Sequence, residues 1–242
     1  MPLTVDGREF AALRDVHDWA RRALPSEVVV QAEGVITGAG TSWTHPVPLT
    51  VRGGTWDGSG TTGRSPGWWL SWRTPATLTL RGVTVCGFAR GGVDAGCDVG
   101  RSAVVSAGCS YVDLGGHDPD GYAALFGTRS DITSSGDTFR RLVNPGEAGP
   151  LIHAVYASDH SVARIEGASV YRCSGDPFRV RHASRMEVVG CTAKRSGVQS
   201  MCSDWYAPDE QPSLLSTRDC HAGRTFNGSR PSLIAYRLRR TP

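Results

Sequence analysis

One glycine register constrains this chain more than any other feature. Gly53, Gly82, Gly108, Gly136, Gly167 and Gly190 follow one another at separations of 29, 26, 28, 31 and 23 residues. Four positions before each stand Leu49, Leu78, Val104, Ile132, Ala163 and Met186. Three positions after each stand Trp56, Val85, Tyr111, Phe139, Val170 and Ala193. A weaker column lies two positions before, Val51, Leu80, Ser106, Ser134, Ile165 and Val188, and a seventh copy falls around Asp219, with Leu215 before it and Ala222 after. Two apolar columns at a fixed offset from a turn residue describe a unit that cannot bury its apolar face alone and must stack on its neighbours. A period of that length is the signature of a solenoid.

The composition agrees. Thirty glycines and short β-branched runs spread along the 242 residues favour many short strands joined by tight turns. Residues 7–24 are the exception: Phe10, Leu13, Val16 or His17, Ala20 and Leu24 recur at helical spacing and Pro25 stops the pattern. A solenoid end exposes core and unpaired backbone, so this helix is expected to cap it. The division that follows is a helical cap over 1–27, a solenoid over 28–222 and a C-terminal strand or cap tail over 223–242.

A formal charge of +3 gives a nucleic-acid or anionic-membrane partner no compositional support, and no apolar run is long enough to cross a bilayer. The N-terminus lacks the basic and apolar regions of a signal peptide. The seven cysteines include no C-x-x-C pair, and several, such as Cys109 and Cys191, directly follow a register glycine. They read as small buried apolar side chains rather than a disulfide or zinc framework, so a reduced cytoplasm is expected.

The strand–turn–strand unit 151–175, and above all His153-Ala-Val-Tyr156 and Gly175-Asp-Pro-Phe-Arg-Val-Arg181, resembles the pectin-lyase-like superfamily over roughly 28–222. The resemblance implies an all-β fold, a single-stranded right-handed parallel β-helix. It also implies a substrate held on the outer face of one sheet, between protruding loops. It does not imply a chemistry, because fold and function separate readily.

On that face Val93, Leu125, Val155 and Val180 are expected to point inward. Their neighbours then form two outward columns: Trp69, Asp94, Ala124, Ala154, Arg179 and Gln199; and Ser71, Gly96, Phe126, Tyr156, Arg181 and Met201. Arg179 and Arg181 present two planar forks suited to a carboxylate or phosphate. Tyr156, expected one turn from Arg181, and His153 at the strand's edge are the candidate proton carriers, with Asp94 the one carboxylate on the face. The loop His117-Asp118-Pro-Asp120 and the segment Asp204-Trp205-Tyr206 would flank the substrate, and Trp69, Phe126 and Met201 would line it.

The resemblance also yields negatives. The Asn-Thr-Asp strand, paired Asp-Asp and Arg-Ile-Lys of polygalacturonase-like hydrolases do not occur, and no acidic cluster falls on the face to hold calcium. The expected function is a metal-independent, cofactor-free acid/base enzyme of lyase, isomerase or cyclase type. Its substrate would be a sugar acid, an oligosaccharide or a small specialised metabolite. Two other classes stay open: a glycoside hydrolase using Asp94, Asp118 or Asp120, and a non-catalytic carbohydrate-binding or tailspike-like module using the tryptophans.

Overall fold

In the computed structural model, residues 3–59, 67–116, 121–206 and 211–238 are described; for 205–206 and 237–238 the description extends to the backbone. The chain winds as a parallel β-solenoid of about 6 turns, 53% of it strand. Each turn contributes one strand to each of three faces. The first sheet has ten strands, from the N-terminal pair through Leu49–Arg52 and Ser130–Ser135 to Leu214–Arg218. The second has eight, from Val35–Thr37 to His221–Ala222, and the third has eight, from Thr41–Trp43 to Ser232–Leu238.

The sequence columns are the ladder register. Leu49, Leu78, Val104, Ile132, Ala163, Met186 and Leu215 pair one to the next along the first sheet. Trp56, Val85, Tyr111, Phe139, Val170, Ala193 and Ala222 do the same along the second. Both columns point into the core, where Tyr111 and Phe139 stack with ring centroids 5.2 Å apart. The register residues sit between the two sheets, in a corner of only two residues. Gly136 has φ 63° there, the other five glycines are alike, and Asp219 takes the place with φ 54°. Only a left-handed residue turns the chain so sharply, and glycine adopts that conformation without a Cβ penalty. The ladder does not break at the corner: the Gly136 N–H donates to the Glu166 carbonyl at 2.8 Å, and the Gly108 N–H to Ser135 at 2.9 Å.

The helix is shorter than its apolar pattern, Leu13–Ala23, because Arg8–Phe10 pairs with Leu3–Val5 as an antiparallel hairpin on the edge of the first sheet. Together hairpin and helix cover the N-terminal end, with His17 against Trp43 at 5.1 Å. In the tail, Ser232–Leu238 adds a parallel strand to the third sheet beside Ser200–Tyr206.

Ser106 and Ser134, the weak members of the sequence column, are buried and satisfied. Ser134 donates to the Asp137 carboxylate at 2.7 Å, the Cys109 N–H donates to its other oxygen at 2.7 Å, and the Ser106 hydroxyl lies 2.9 Å from that of Tyr111. All seven cysteines are free thiols. Burial pushes the Cys191 thiol up to about 11.

Two predictions follow from the corner and its carboxylate. Gly136→Ala meets no atom within 4 Å, so its loss of about 1–2 kcal/mol is a pure backbone effect; Asp219→Gly moves stability the other way by a few tenths. Urea titration of both variants reads the two signs. Burial also raises the Asp137 pKa above 3.8, so the native state holds a proton that the unfolded chain releases. That contribution is complete below about 3.8 and is lost as pH rises through the folded value. Asp137→Asn removes this downward slope from the stability profile.

Candidate functional site

The third sheet does not alternate regularly. Trp69 and Leu70, Ala124 and Leu125, and Ala154 and Val155 are consecutive pairs in which both members belong to the core. Trp69 packs on the interior Trp56 at 5.2 Å, and a Cβ on Gly92 would lie 3.1 Å from the Tyr111 ring. The column Trp69, Ala124, Ala154 therefore faces inward, not into a groove, and so does Met201, which is 1% exposed. This irregularity turns the preceding column outward: Trp68, Gly91, Ala123 and His153, paired turn to turn.

The second outward column is Ser71, Asp94, Phe126, Tyr156, Arg179 and Ser203. Arg179 thus stands directly beside Tyr156, where Arg181 had been expected. The partner of Val155 is Phe178, not Val180, although Val180 also points inward. Arg181 falls one place further along, its backbone N–H bonded to Ala157 at 3.0 Å.

The two outward columns meet in one cluster. Trp68 stacks on Phe126 at 6.1 Å, Phe126 lies 5.2 Å from Tyr156, and Tyr122 touches all three, at 6.4, 5.0 and 5.4 Å. The Arg179 guanidinium sits 5.2 Å over the Tyr156 ring, a contact worth about 2 kcal/mol when shielded from water. The polar end is closed, with Tyr156 4% and Arg179 7% exposed. The aromatic end at Trp68, Tyr122 and Phe126 is half-buried. Trp68 is expected only among the tryptophans that could stack on a sugar, and Tyr122 is absent from the sequence-based site. Reading Trp68 as outward requires knowing the strand's irregularity, and Tyr122 is signalled only by following the acidic loop.

His153 is fixed from both sides. Its Nδ1 lies 2.7 Å from the Asp176 carbonyl, which can only accept, so Nδ1 carries the proton. Nε2 is then an acceptor, and Arg179 donates to it from Nη1 at 3.3 Å. Burial first, and Arg179 second, hold the His153 pKa well below 6.5. His153 is thus a neutral brace for Arg179 rather than a free base. Asp176 is itself fixed: its carboxylate accepts backbone N–H groups of Val198, Gln199 and Ser200 at 2.9, 3.3 and 3.2 Å. Burial raises the Tyr122 pKa, and Tyr156 adds to the rise against the opposing pull of Arg179 and Arg181, so Tyr122 stays protonated.

Asp94 lies in the same column but is engaged. Arg73 holds both its carboxylate oxygens, at the edge of an open cleft of about 400 Å³ that reaches Phe126 and Arg129. His117, Asp118 and Asp120 lie outside the described residues. The ends of their loop are pinned by Asn144, whose side-chain oxygen accepts the Gly116 and Gly121 N–H groups at 3.3 and 2.9 Å. Trp205 and Tyr206 continue the strand Ser200–Tyr206, and their side chains are outside the description. Asp204, next to Trp205, is buried and accepts the Ser213 N–H at 2.6 Å. Among the described residues no three His, Cys, Asp or Glu side chains group where they could share a metal ion.

The depressed His153 pKa has a sign. Above about 6.5 the imidazole is neutral folded or unfolded; as pH falls below it, the unfolded chain takes up a proton that the native site refuses. Stability present above that value is lost on acidification. His153→Gln flattens this part of the profile, read as urea midpoints between about pH 5 and 8. No family model, curated protein or solved structure matches the chain.

Proposed function

We propose that the chain is an acid/base enzyme of the lyase or isomerase type, acting without a metal on a compact carboxylated substrate such as a sugar acid. The observation that carries this reading is the braced Arg179 over Tyr156 at the closed end of a four-ring aromatic strip. The half-buried rings of Trp68, Tyr122 and Phe126 offer faces on which a sugar or other flat apolar surface stacks. The carboxylate then reaches Arg179, whose planar fork suits it.

A carboxylate neutralised in this way has a more acidic α-carbon. In an elimination the α-C–H bond breaks, its electron pair becomes the new double bond, and the β-oxygen leaves with a proton. Tyr156, under the guanidinium, is the group placed to take the proton, its own phenolic proton having first passed to solvent. Tyr122, held protonated, is placed to supply one. His153 keeps Arg179 aimed, and Arg181 adds positive charge beside Tyr122. The aromatic strip equally supports the non-catalytic carbohydrate-binding reading, which differs in forming no product. Hydrolysis through Asp94 would first require its bidentate pairing with Arg73 to open.

The test is product formation from a panel of uronate oligosaccharides and small hydroxy acids, followed by the ultraviolet absorbance of a conjugated double bond and by mass spectrometry. Tyr156→Phe lowers turnover at least ~100-fold with an unchanged melting temperature, and Arg179→Lys keeps the charge but raises KM through loss of the fork. Saccharide binding without product, or full turnover in Tyr156→Phe, overturns the assignment.

A further inference from the structure

The two ends of the solenoid are finished differently. Hairpin and helix cover the N-terminal end. At the other end Leu214–Arg218, His221–Ala222 and Ser232–Leu238 are each the last strand of their sheet. The core columns stop there unfinished. Ile234 pairs with Cys202 and Ala222 with Ala193; Cys202 and Ala193 are buried, whereas Ile234 and Ala222 are half-buried. Thr217 ends the column of Ile165 and Val188 in the same half-buried state. On this turn Leu214, Leu233 and Tyr236 are 61%, 40% and 50% exposed.

The backbone edge is open as well. The backbone groups of a parallel strand point alternately to its two sides. The Ser232 N–H donates to the Gln199 carbonyl of the preceding turn at 2.9 Å, so the groups of Leu233 and Ala235 face away from it. The Leu215 carbonyl also faces the end, where the Tyr236 hydroxyl donates to it at 3.3 Å from across the turn.

Charge decides what kind of segment fits. Residues 211–238 hold four arginines and one aspartate, so this turn carries +3, the net charge of the whole chain. Arg218, Arg224 and Arg230 are exposed, and among the described residues none of them forms an ion pair. Arg224 and Arg230 line, with Leu233, an open cleft of about 600 Å³ beside the start of Ser232–Leu238. The Arg224 guanidinium donates to the Gly228 carbonyl there at 3.3 Å. A second copy set end to end brings these arginines against their own kind. A lipid surface leaves the strand edge without hydrogen-bond partners.

We propose that a partner polypeptide docks on this end, adding an extended acidic segment to the open edge of Ser232–Leu238. Its backbone pairs with Leu233 and Ala235. Its apolar side chains, at alternate positions, cover Ile234 and complete that core column. Carboxylates flanking the apolar run reach Arg224 and Arg230. The site lies two strands beyond Arg179 on the third sheet and does not draw on the catalytic reading of the strip.

The test is fluorescence anisotropy of the full chain with the labelled peptide Asp-Glu-Val-Thr-Val-Thr-Val-Glu-Asp. The controls are the same apolar run flanked by lysines, and a version with proline at the central valine. Two variants locate the contact: R224A/R230A removes the charge, and Ala235→Pro removes an outward N–H at a position where an edge strand tolerates proline. The acidic peptide is expected to bind, more weakly as salt rises, and the two control peptides not to bind. Each variant is expected to bind about tenfold more weakly at an unchanged melting temperature; if Ala235→Pro melts low, R224A/R230A alone decides. Tyr156→Phe leaves the binding unchanged. No binding of the acidic peptide at low salt, equal binding of the lysine peptide, or parent-like affinity in R224A/R230A overturns the proposal. So does a dimer in sedimentation equilibrium that R224A/R230A strengthens, which assigns the end to a second copy, or binding to phosphatidylglycerol vesicles in preference to the peptide, which assigns it to lipid.

Discussion

The structure depends on a two-residue corner that turns the chain without interrupting its hydrogen-bond ladder. Its first residue is left-handed, and its N–H bonds to the turn above, as Gly82 does to Ala107 at 3.1 Å and Gly190 to Arg218 at 2.9 Å. Its second residue, Val83, Cys109, Ala168 or Cys191 in different turns, is buried. Because the corner has one length, the strands on either side keep one register, and apolar residues on successive turns stack. Every other corner varies, and the longer loops are found there. An invariant corner thus lets the other two carry insertions, since each turn is locked to the next at one edge.

That dependence explains what was legible in the amino acids. A left-handed position selects glycine, so the corner leaves a mark that can be counted, and both core columns follow from it down to Leu215 and Ala222. The third sheet has no such marker. There the second and third residues of the strand both point inward, as at Ala154 and Val155, and strict alternation assigns the first of them to the wrong face. Trp69 and Ala154 move inside for that reason, while Trp68 and His153 come out. The offset of two between Val180 and its expected partner has a different origin. The 23-residue spacing of Gly167 and Gly190 carries Val155 onto Phe178, but an aliphatic residue is the more obvious match for an aliphatic column.

The identity of the outward residues therefore survived better than their order. Tyr156, Arg179, Phe126 and Asp94 share one column, but Tyr156 meets Arg179 rather than Arg181. His153 proves to be a brace between the Asp176 carbonyl and Arg179. A hydrogen-bond role of that kind is set by atoms on other turns, 23 and 26 residues away, and leaves no local trace. Asn144 is similar: it ties Gly116 and Gly121 across the base of a loop, and nothing in Leu-Val-Asn-Pro announces it.

The central claim is that Trp68, Tyr122, Phe126 and Tyr156 form one binding strip that ends at Arg179. Its most direct measurement is a crystal structure of the protein soaked with a uronate disaccharide. The account predicts a sugar ring on the Trp68–Phe126 faces and its carboxylate within hydrogen-bond distance of the Arg179 guanidinium, with His153 still bonded to Asp176. Sugar density confined to another face, or a carboxylate held away from Arg179 with the aromatic strip bare, would contradict it.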